Sequence, residues 1–440
     1  MTDVVVGGGL AGITAALRLA DAGRSVTLLE GRPRLGGAAF SFKRGDLSID
    51  NGQHVFLRCC DSYQWLLKRL DAEADVRLQS RLDIPVLRAD GRRARLSRLP
   101  GVPAPGHLGA ALARYGLLSP RDRLRAVRGA LALKRLNPAD ASLDARTLGA
   151  YLRQHGQNDA TIGALWGIVA VATLNLDPDE ASLALAAKVF RTGLLDHAPA
   201  SDVGYAGVPL GEIHTTKAQR ALENAGVEVL LAHRVESVEP GLVRARGREA
   251  TREWRADAVV LATPPYDAGA VATAPTIERA SGLGTAPIVN VHVVYDRQVT
   301  DLPFAAAVNS PVQWFFDRTD TSGLQSGQYL AVTVSAADAI IDEPSKSVQQ
   351  RYVDELARLL PAAGRATVVD AFVTRERKAT FRQAAGTASL RPGPQSGLDG
   401  IWLAGSWTAT GWPDTMESAV RSGIAAADAV LDVPALEVAA

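Results

Sequence analysis

Cysteine is almost missing from this chain: Cys59 and Cys60 are its only two in 440 residues, and they are neighbours. Adjacent cysteines do not reach relaxed disulfide geometry, and two thiols make no disulfide scaffold. No further ligands stand near them at metal-binding spacing, so no metal is expected and both read as plain thiols. An excess of one charge is missing as well. The formal net charge is +1, which gives no global attraction to nucleic acid. No apolar run reaches about twenty residues, the length of a membrane span. The nearest, Ile162 to Leu176, is uncharged but shorter and contains Asn175. It reads as a buried core helix or as the wall of an apolar tunnel. A strand beginning at Val4 leaves no room for a secretory leader, so a cytoplasmic location is expected.

What is present is a globular composition, 47% apolar and 22% charged, on a chain too long for one ordinary core. Two domains are expected. The informative stretch is the first thirty residues. Val4 to Val6 read as a buried strand, Ile13 to Ala22 as an Ala/Leu helix, and Ser25 to Leu29 as a second strand ending on Glu30. Gly7, Gly9 and Gly12 fit G-x-G-x-x-G between strand and helix. The first glycine permits the tight turn, the second admits a pyrophosphate, and the third packs helix on sheet. The helix start at Leu10 and Ala11 offers free N–H groups to phosphate, and Glu30 accepts from a ribose hydroxyl. An ordinary βαβ unit with a glycine-rich turn is the alternative, but strand, helix and acid all stand where a dinucleotide site requires them.

The fingerprint continues as Gly31-Arg32-Pro33-Arg34-Leu35-Gly36-Gly37-Ala38. An acid, a basic residue and a Gly-Gly pair in this order resemble the FAD-containing amine oxidase and phytoene desaturase superfamily. In that superfamily the Gly-Gly turn runs against the pyrophosphate and ribityl chain. The resemblance implies FAD rather than NAD, expected to be non-covalent because no Cys lies near the C-terminal motif, and Gly31, Arg32, Gly36, Gly37 and Ala38 join the cofactor site. Ala38 stands where relatives carry Arg, so one phosphate contact is missing or replaced.

A hairpin around Arg44-Gly45-Asp46 leads into Asp50-Asn51-Gly52-Gln53-His54, a polar cluster between apolar flanks. Such a cluster is expensive to bury without purpose. Asp-Asn-Gly-Gln-His soon after an FAD fingerprint resembles the hydroxysqualene dehydroxylase family. Further matching stretches are Trp166 with Thr173-Leu174-Asn175, Ser201-Asp202 with Val208-Pro209-Leu210, Gln313-Trp314 with Phe316-Asp317-Arg318, Arg375-Glu376 with Lys378 to Phe381, and Leu403 to Gly423. The likeness spans nearly the whole chain.

Between these motifs, Tyr63 to Leu70 and Asp179 to Phe190 read as helices, and Arg77 to Leu99 as strands in a strongly basic stretch. Ser119-Pro120 starts a helix with Leu124, Val127 and Leu131 on one face and Arg121, Arg125 and Arg128 largely on another. This face is either a solvated basic surface or a peripheral contact with anionic lipid at the inner face of a membrane. His155, His197 and His214 stand at no metal spacing and read as surface or loop histidines. No second G-x-G-x-x-G occurs, which disfavours a reductase that docks its own nicotinamide.

The superfamily pattern implies an α/β fold: a Rossmann-like FAD-binding domain of amine-oxidase type with an inserted α+β substrate-binding domain. The FAD domain would take residues 1–58, 205–270 and 398–440, and the substrate domain 59–204 and 271–397. Carried over position by position, Val235 binds adenine through its backbone. Gly405, Ser406, Thr415 and Met416 meet the flavin, with Ser406 where Asp is usual. Asp414 and Glu417 read as helix-start acids.

Resemblance implies reductive loss of an allylic hydroxyl from hydroxysqualene, giving squalene, with hydride reaching an allylic cation from reduced flavin. The departing hydroxyl needs an acid. Asp50 or His54 would supply or orient it, with Asn51 and Gln53 fixing the cluster. Trp166, Trp314 and Phe316 are candidates to line the tunnel of an apolar isoprenoid, or are plain core aromatics. The electrons would come from an external reductant that the sequence does not name. The alternatives are a carotenoid-type desaturase or amine oxidase on the same scaffold, and a GDI-like prenyl-group carrier without flavin chemistry.

Overall fold

The computed structural model describes residues 2–432. At its centre lies a five-stranded parallel sheet of β1 (Thr2–Val6), β2 (Ser25–Glu30), β3 (Glu228–Leu231), β4 (Ala258–Leu261) and β5 (Ile401–Leu403), in the order β3-β2-β1-β4-β5. Val4, Val5, Leu28, Val259, Val260 and Leu261 are all buried, the unbroken apolar pattern of strands covered on both faces. Three distant stretches of chain thus converge on one sheet.

Helices α1 (Leu10–Asp21) and α2 (Asp61–Arg69) lie on one side of this sheet, α3 (Pro120–Lys134) in a helical insertion, and α4 (Met416–Leu431) against α1. Gly423 makes the last contact close: a Cβ there would run into the Ala11 carbonyl and come within 2.8 Å of Thr14 Cβ. The first and last helices are thereby held together, with Leu17, Leu66, Leu67 and Val420 in one apolar cluster.

A second, seven-stranded sheet runs Val368–Phe381, Thr285–Tyr295, Gln328–Val334, Trp314–Asp317, Phe304–Val308, Asp83–Arg88, Arg93–Ser97. It is antiparallel except where Phe304–Val308 meets Asp83–Arg88. The helix Ser345–Leu359 covers it through Val348, Tyr352 and Leu356. The helical insertion packs α3, Leu148–Gln154 and Leu183–Phe190 around Trp166 and Phe190. Its longest apolar piece runs through Asp159–Thr161, Ile162–Trp166 and Gly167–Leu174, with a π turn in the middle. Asn175 then ends it in a left-handed conformation at φ 50° and pins it to the second sheet through the Ala286 carbonyl, Thr380 Oγ1 and the Ala336 amide. Among the described residues no helix is long and apolar enough to cross a membrane.

Two sequence expectations shift. The helix placed at Asp179 begins at Leu183, because Ser182 Oγ accepts from the Leu185 amide and caps it there. His214 is no surface or loop residue. It is fully buried within the π-helical turn Glu212–Lys217.

Candidate active site

The fingerprint glycines form a cradle. Gly7 sits at φ +108°, and a Cβ there would stand 2.6 Å from the Ala262 carbonyl at the end of β4. A Cβ on Gly12 would collide with the Gly7 carbonyl, so α1 abuts the turn. Gly9 caps α1 with no side chain, which leaves the first amides of the helix open to an anion. Gly37, at φ +56°, lies across from Gly9; a Cβ on it would come within 2.8 Å of Gly9 Cα. Both oxygens of Glu30 accept from backbone, one from the Gly8 amide at 2.6 Å and one from the Arg32 amide at 2.7 Å. That fixes the carboxylate while leaving lone pairs for a ribose hydroxyl. The chain entering the strand of Val235 is tied to the same place: Ala232 N donates to Arg32 O and His233 N to Glu30 O. Beside the turn, the buried hydroxyl of Thr263 has no partner among the described residues. Bare amides, missing side chains and an orphaned hydroxyl on one surface fit a bound dinucleotide.

At Ala38, where the resemblance leads one to expect Arg, the carbonyl accepts from Asn51 Nδ2 at 2.9 Å. Arg34 flanks the Gly-Gly turn instead. Its guanidinium donates to the Leu35 and Gly37 carbonyls and lies 3.4 Å from the Phe40 ring centroid. Burial, with Arg32 close by, lowers its pKa to about 10.

The polar cluster is anchored from three sides. Asp50 Oδ2 accepts from Arg318 Nη2 at 2.7 Å, and Oδ1 accepts from Ser41 Oγ at 2.6 Å and the Leu210 amide at 3.0 Å. Arg318 also donates to the Ala206 carbonyl, and both charged groups are buried. Among the described residues, each hydrogen bond of Asp50 comes from a donor, which gives the carboxylate an anchoring place. Asn51 links the FAD turn to the second sheet. It donates to Glu376 Oε1, its Oδ1 accepts from Phe40 N, and its carbonyl accepts from Asn290 Nδ2.

His54 is different. Its Nδ1 stands 3.2 Å from the Gly52 carbonyl, and its Nε2 has no partner among the described residues. The ring lines a narrow cavity with Asp50, Gln53, Tyr205, Phe316 and Arg318, and Gln53 Nε2 is buried there unpartnered. Burial lowers the His54 pKa, against the Gly52 carbonyl and the charges of Asp50 and Glu376, while Arg318 reinforces the shift. A polar cleft at the surface meets this cavity at Tyr205, Ala206 and Arg318.

The C-terminal loop closes the far side. Gly405, at φ +142°, follows β5, and Thr415 caps α4 by accepting from the Ser418 amide. Met416 opens that helix. Ser406 lies beside the side chain of Asp414, which is buried and accepts from the Phe381 amide at 2.7 Å. Burial raises the Asp414 pKa. A carboxyl is therefore present beside Ser406 after all, supplied from eight residues downstream. Glu417 caps a different helix from the one it starts: it accepts from the Ser62 and Tyr63 amides at the head of α2. The residue that shapes the loop is Arg391, which sequence reasoning missed. Buried, it donates to the carbonyls of Ser406, Trp407, Thr408 and Trp412. Burial lowers its pKa to about 10. Arg391→Lys keeps the charge but not the fork, and hydrogen bonds to charged groups are worth about 1.5–3 kcal/mol each. Titration of the stripped protein with FAD should show affinity weakened about tenfold to a hundredfold. Unchanged affinity would mean the loop holds its shape without Arg391.

His214 packs beneath the Gly-Gly turn. Its Nε2 lies 2.9 Å from Tyr63 Oη, its Nδ1 faces the Ala39 carbonyl, and a Cβ on Gly36 would come within 3.3 Å of its own. Burial lowers its pKa to about 4. That of His292, stacked on Phe372 and bonded to Tyr329 and Thr374, falls to about 3 for the same reason. The folded state thus refuses protons that the unfolded chain binds below about pH 6.5. Stability is full above that value and is lost as the pH falls toward the folded pKa values, by about 2 kcal/mol for each ring at about pH 5. Urea unfolding at neutral pH and at about pH 5 should show that loss, and equal stability at both would refute it.

The three expected tunnel aromatics separate. Phe316 lines the His54 cavity, and Trp314 stacks on it with ring centroids 6.3 Å apart. Trp166 lies apart from both, in the helical core. Its Nε1 donates to Gln157 Oε1, and its ring meets Phe190 edge-on.

Set beside known proteins, residues 10–431 match the family model of flavin containing amine oxidoreductases. The chain is 28% identical over 439 residues to a hydroxysqualene dehydroxylase of Rhodopseudomonas palustris, with 97% of each chain covered. It is 29% identical over 437 residues to one of Sinorhizobium fredii, again with 97% of each covered. A zeta-carotene desaturase of Synechocystis is 24% identical over 482 residues, covering 98% of this chain and 97% of the desaturase. Among solved structures, cyclohexylamine oxidase from Brevibacterium oxydans superposes with a TM-score of 0.67 at 18% identity, covering 98% of each. An oxidoreductase from Methanosarcina mazei gives a TM-score of 0.72 at 15% identity, covering 98% of this chain and all of the other. These two structures share the fold.

Proposed function

The chain belongs to the flavin containing amine oxidoreductase family and is an FAD-dependent oxidoreductase, and from that premise we propose that it removes the allylic hydroxyl of hydroxysqualene reductively, releasing squalene and water. The observation that carries this reading is the His54 cavity. It sets a half-free imidazole and an unpartnered carboxamide against an apolar ring, on a segment bonded to the FAD turn through Asn51. A hydroxyl leaving carbon needs a proton donor within reach, because hydroxide is a poor leaving group. A hydrocarbon desaturase has no oxygen to protonate. Full-length similarity to hydroxysqualene dehydroxylases supports the same choice.

Each residue has a part. Glu30, the α1 amides and the Gly36–Gly37 turn hold the cofactor; bound FAD supplies the two electrons of the reduction, which an external reductant must replace. Asp50, clamped by Arg318, fixes the cluster. His54 is the proton donor, at Nε2, and Gln53 Nε2 orients the hydroxyl oxygen. Phe316 and Trp314 shield the reacting carbon from water, as charge developing at an allylic carbon requires. Trp166 serves the helical core.

The carotenoid-type desaturase stays as a second reading because zeta-carotene desaturases are similar over the full chain. Product analysis separates the two. The FAD-loaded protein, chemically reduced without oxygen, is incubated with hydroxysqualene. The oxidised protein is incubated with zeta-carotene. Squalene in the first mixture and an unchanged carotenoid in the second are expected; the reverse pattern sinks the proposal.

A further inference from the structure

We propose that the outward face of α3 is a docking surface for an anionic lipid bilayer. The helix turns three small residues and Leu133 inward. Ala126, Gly129, Ala132 and Leu133 are buried, and a Cβ on Gly129 would come within 2.9 Å of both Trp166 and Gln157. The larger apolar residues are therefore left outside: Leu124 is 71% exposed, Val127 44% and Leu131 44%. At helical spacing these three form one stripe, and the exposed Arg121, Arg128 and Arg135 form a second stripe beside it.

Charge marks this face. Among the described residues, none of these three arginines has an ion-pair partner. In the basic stretch before it the charge is largely matched: Arg88 and Arg92 reach Asp90, Arg95 reaches Asp83, and Arg98 reaches the buried Asp202. The one acid of α3, Asp122, is held by Ser119, Arg125 and Asn158. Unmatched positive charge next to exposed apolar side chains suits the bilayer interface. There apolar groups enter the acyl boundary and arginines reach up to lipid phosphates. A second copy of the chain fits poorly, because a two-fold contact through this face would set arginine against arginine. An apolar partner protein would leave the arginines unanswered. The inference stands independently of which isoprenoid the enzyme reduces.

The test is co-sedimentation of the FAD-loaded full chain with vesicles of phosphatidylcholine alone and of phosphatidylcholine mixed with phosphatidylglycerol. Binding to the mixed vesicles at low salt, released by high salt and absent from phosphatidylcholine alone, is expected. Leu124→Ser/Val127→Ser/Leu131→Ser and Arg121→Gln/Arg128→Gln/Arg135→Gln should each weaken it at least about tenfold. Unfolding temperature and flavin absorbance, expected to match the parent, check that these surface variants remain folded. No binding, equal binding to both vesicles, or variants that bind like the parent overturns the proposal. A concentration-dependent dimer abolished by the same substitutions would also overturn it, in favour of a second copy.

Discussion

Arg318→Leu should destabilise the FAD-loaded protein by about 3–5 kcal/mol, the usual penalty for stripping one partner from a buried ion pair. The reason lies in what Asp50 would become. Its carboxylate is 5% exposed, and among the described residues its one ion-pair partner is Arg318 at 2.7 Å. Ser41 and the Leu210 amide remain, but neither carries charge to balance an isolated anion in a dry site. The loss should be largely repaired in Asp50→Asn/Arg318→Leu, which removes both charges together, and denaturant unfolding reads both. A single variant within about 1 kcal/mol of the parent would mean that water reaches Asp50 and that the pair is ordinary surface electrostatics. Because Arg318 spans from Asp50 to the Ala206 carbonyl, the single variant should also blunt turnover by loosening the wall of the His54 cavity.

His54→Gln should lower turnover of hydroxysqualene by about 10²–10⁴-fold, the range a positioned proton donor supplies. FAD affinity should stay as it is, because among the described residues the ring hydrogen-bonds only the Gly52 carbonyl, outside the cradle. The sign of the pH dependence follows from the environment. Burial holds the His54 pKa below 6.5, so the charged, donating form is the minor one at neutral pH. The rate in the parent should therefore climb as pH is lowered from 8 toward that pKa, about tenfold per unit on the steep part. The buried His214 and His292 set a floor to this experiment, since the fold itself weakens below about pH 6.5. In His54→Gln the acid-side climb should vanish. A variant that keeps both the rate and the slope would move the proton donor elsewhere, with Tyr205 of the same cavity the next residue to replace.

The parts of this site that were legible in the sequence are those made by neighbours in the chain. Gly7, Gly9 and Gly12 act on one turn, Glu30 ends the next strand, and Gly36–Gly37 follows within a few residues, so spacing carries the geometry. The partners that give the cluster its chemistry come from far away. Arg318 is 268 residues from Asp50, and Asn290 is 239 residues from Asn51. Arg318 stands in one of the matching stretches, but no local pattern announces either pairing. Arg391 looks like any surface arginine until the loop of Ser406 to Trp412 folds round it. Asp414 likewise reads as a helix-start acid until Ser406 is seen beside it. His214 misled for the opposite reason. Isolated in sequence, it gave no hint that Tyr63 and the Ala39 carbonyl would bury it. On α3 the periodicity correctly separated an apolar stripe from arginines, but helical spacing alone does not say which stripe faces solvent. Gly129 against Trp166 decides that, by steric fit.

The direction of electron flow is the central claim, and the flavin spectrum reads it directly. The purified protein is loaded with FAD, photoreduced without oxygen, and mixed with hydroxysqualene. Return of the oxidised flavin absorbance, at a rate that depends on His54 and with squalene as product, is the expected result. A reduced spectrum that persists with hydroxysqualene, in a protein whose oxidised form is bleached by a carotenoid, would contradict it and make the chain a desaturase.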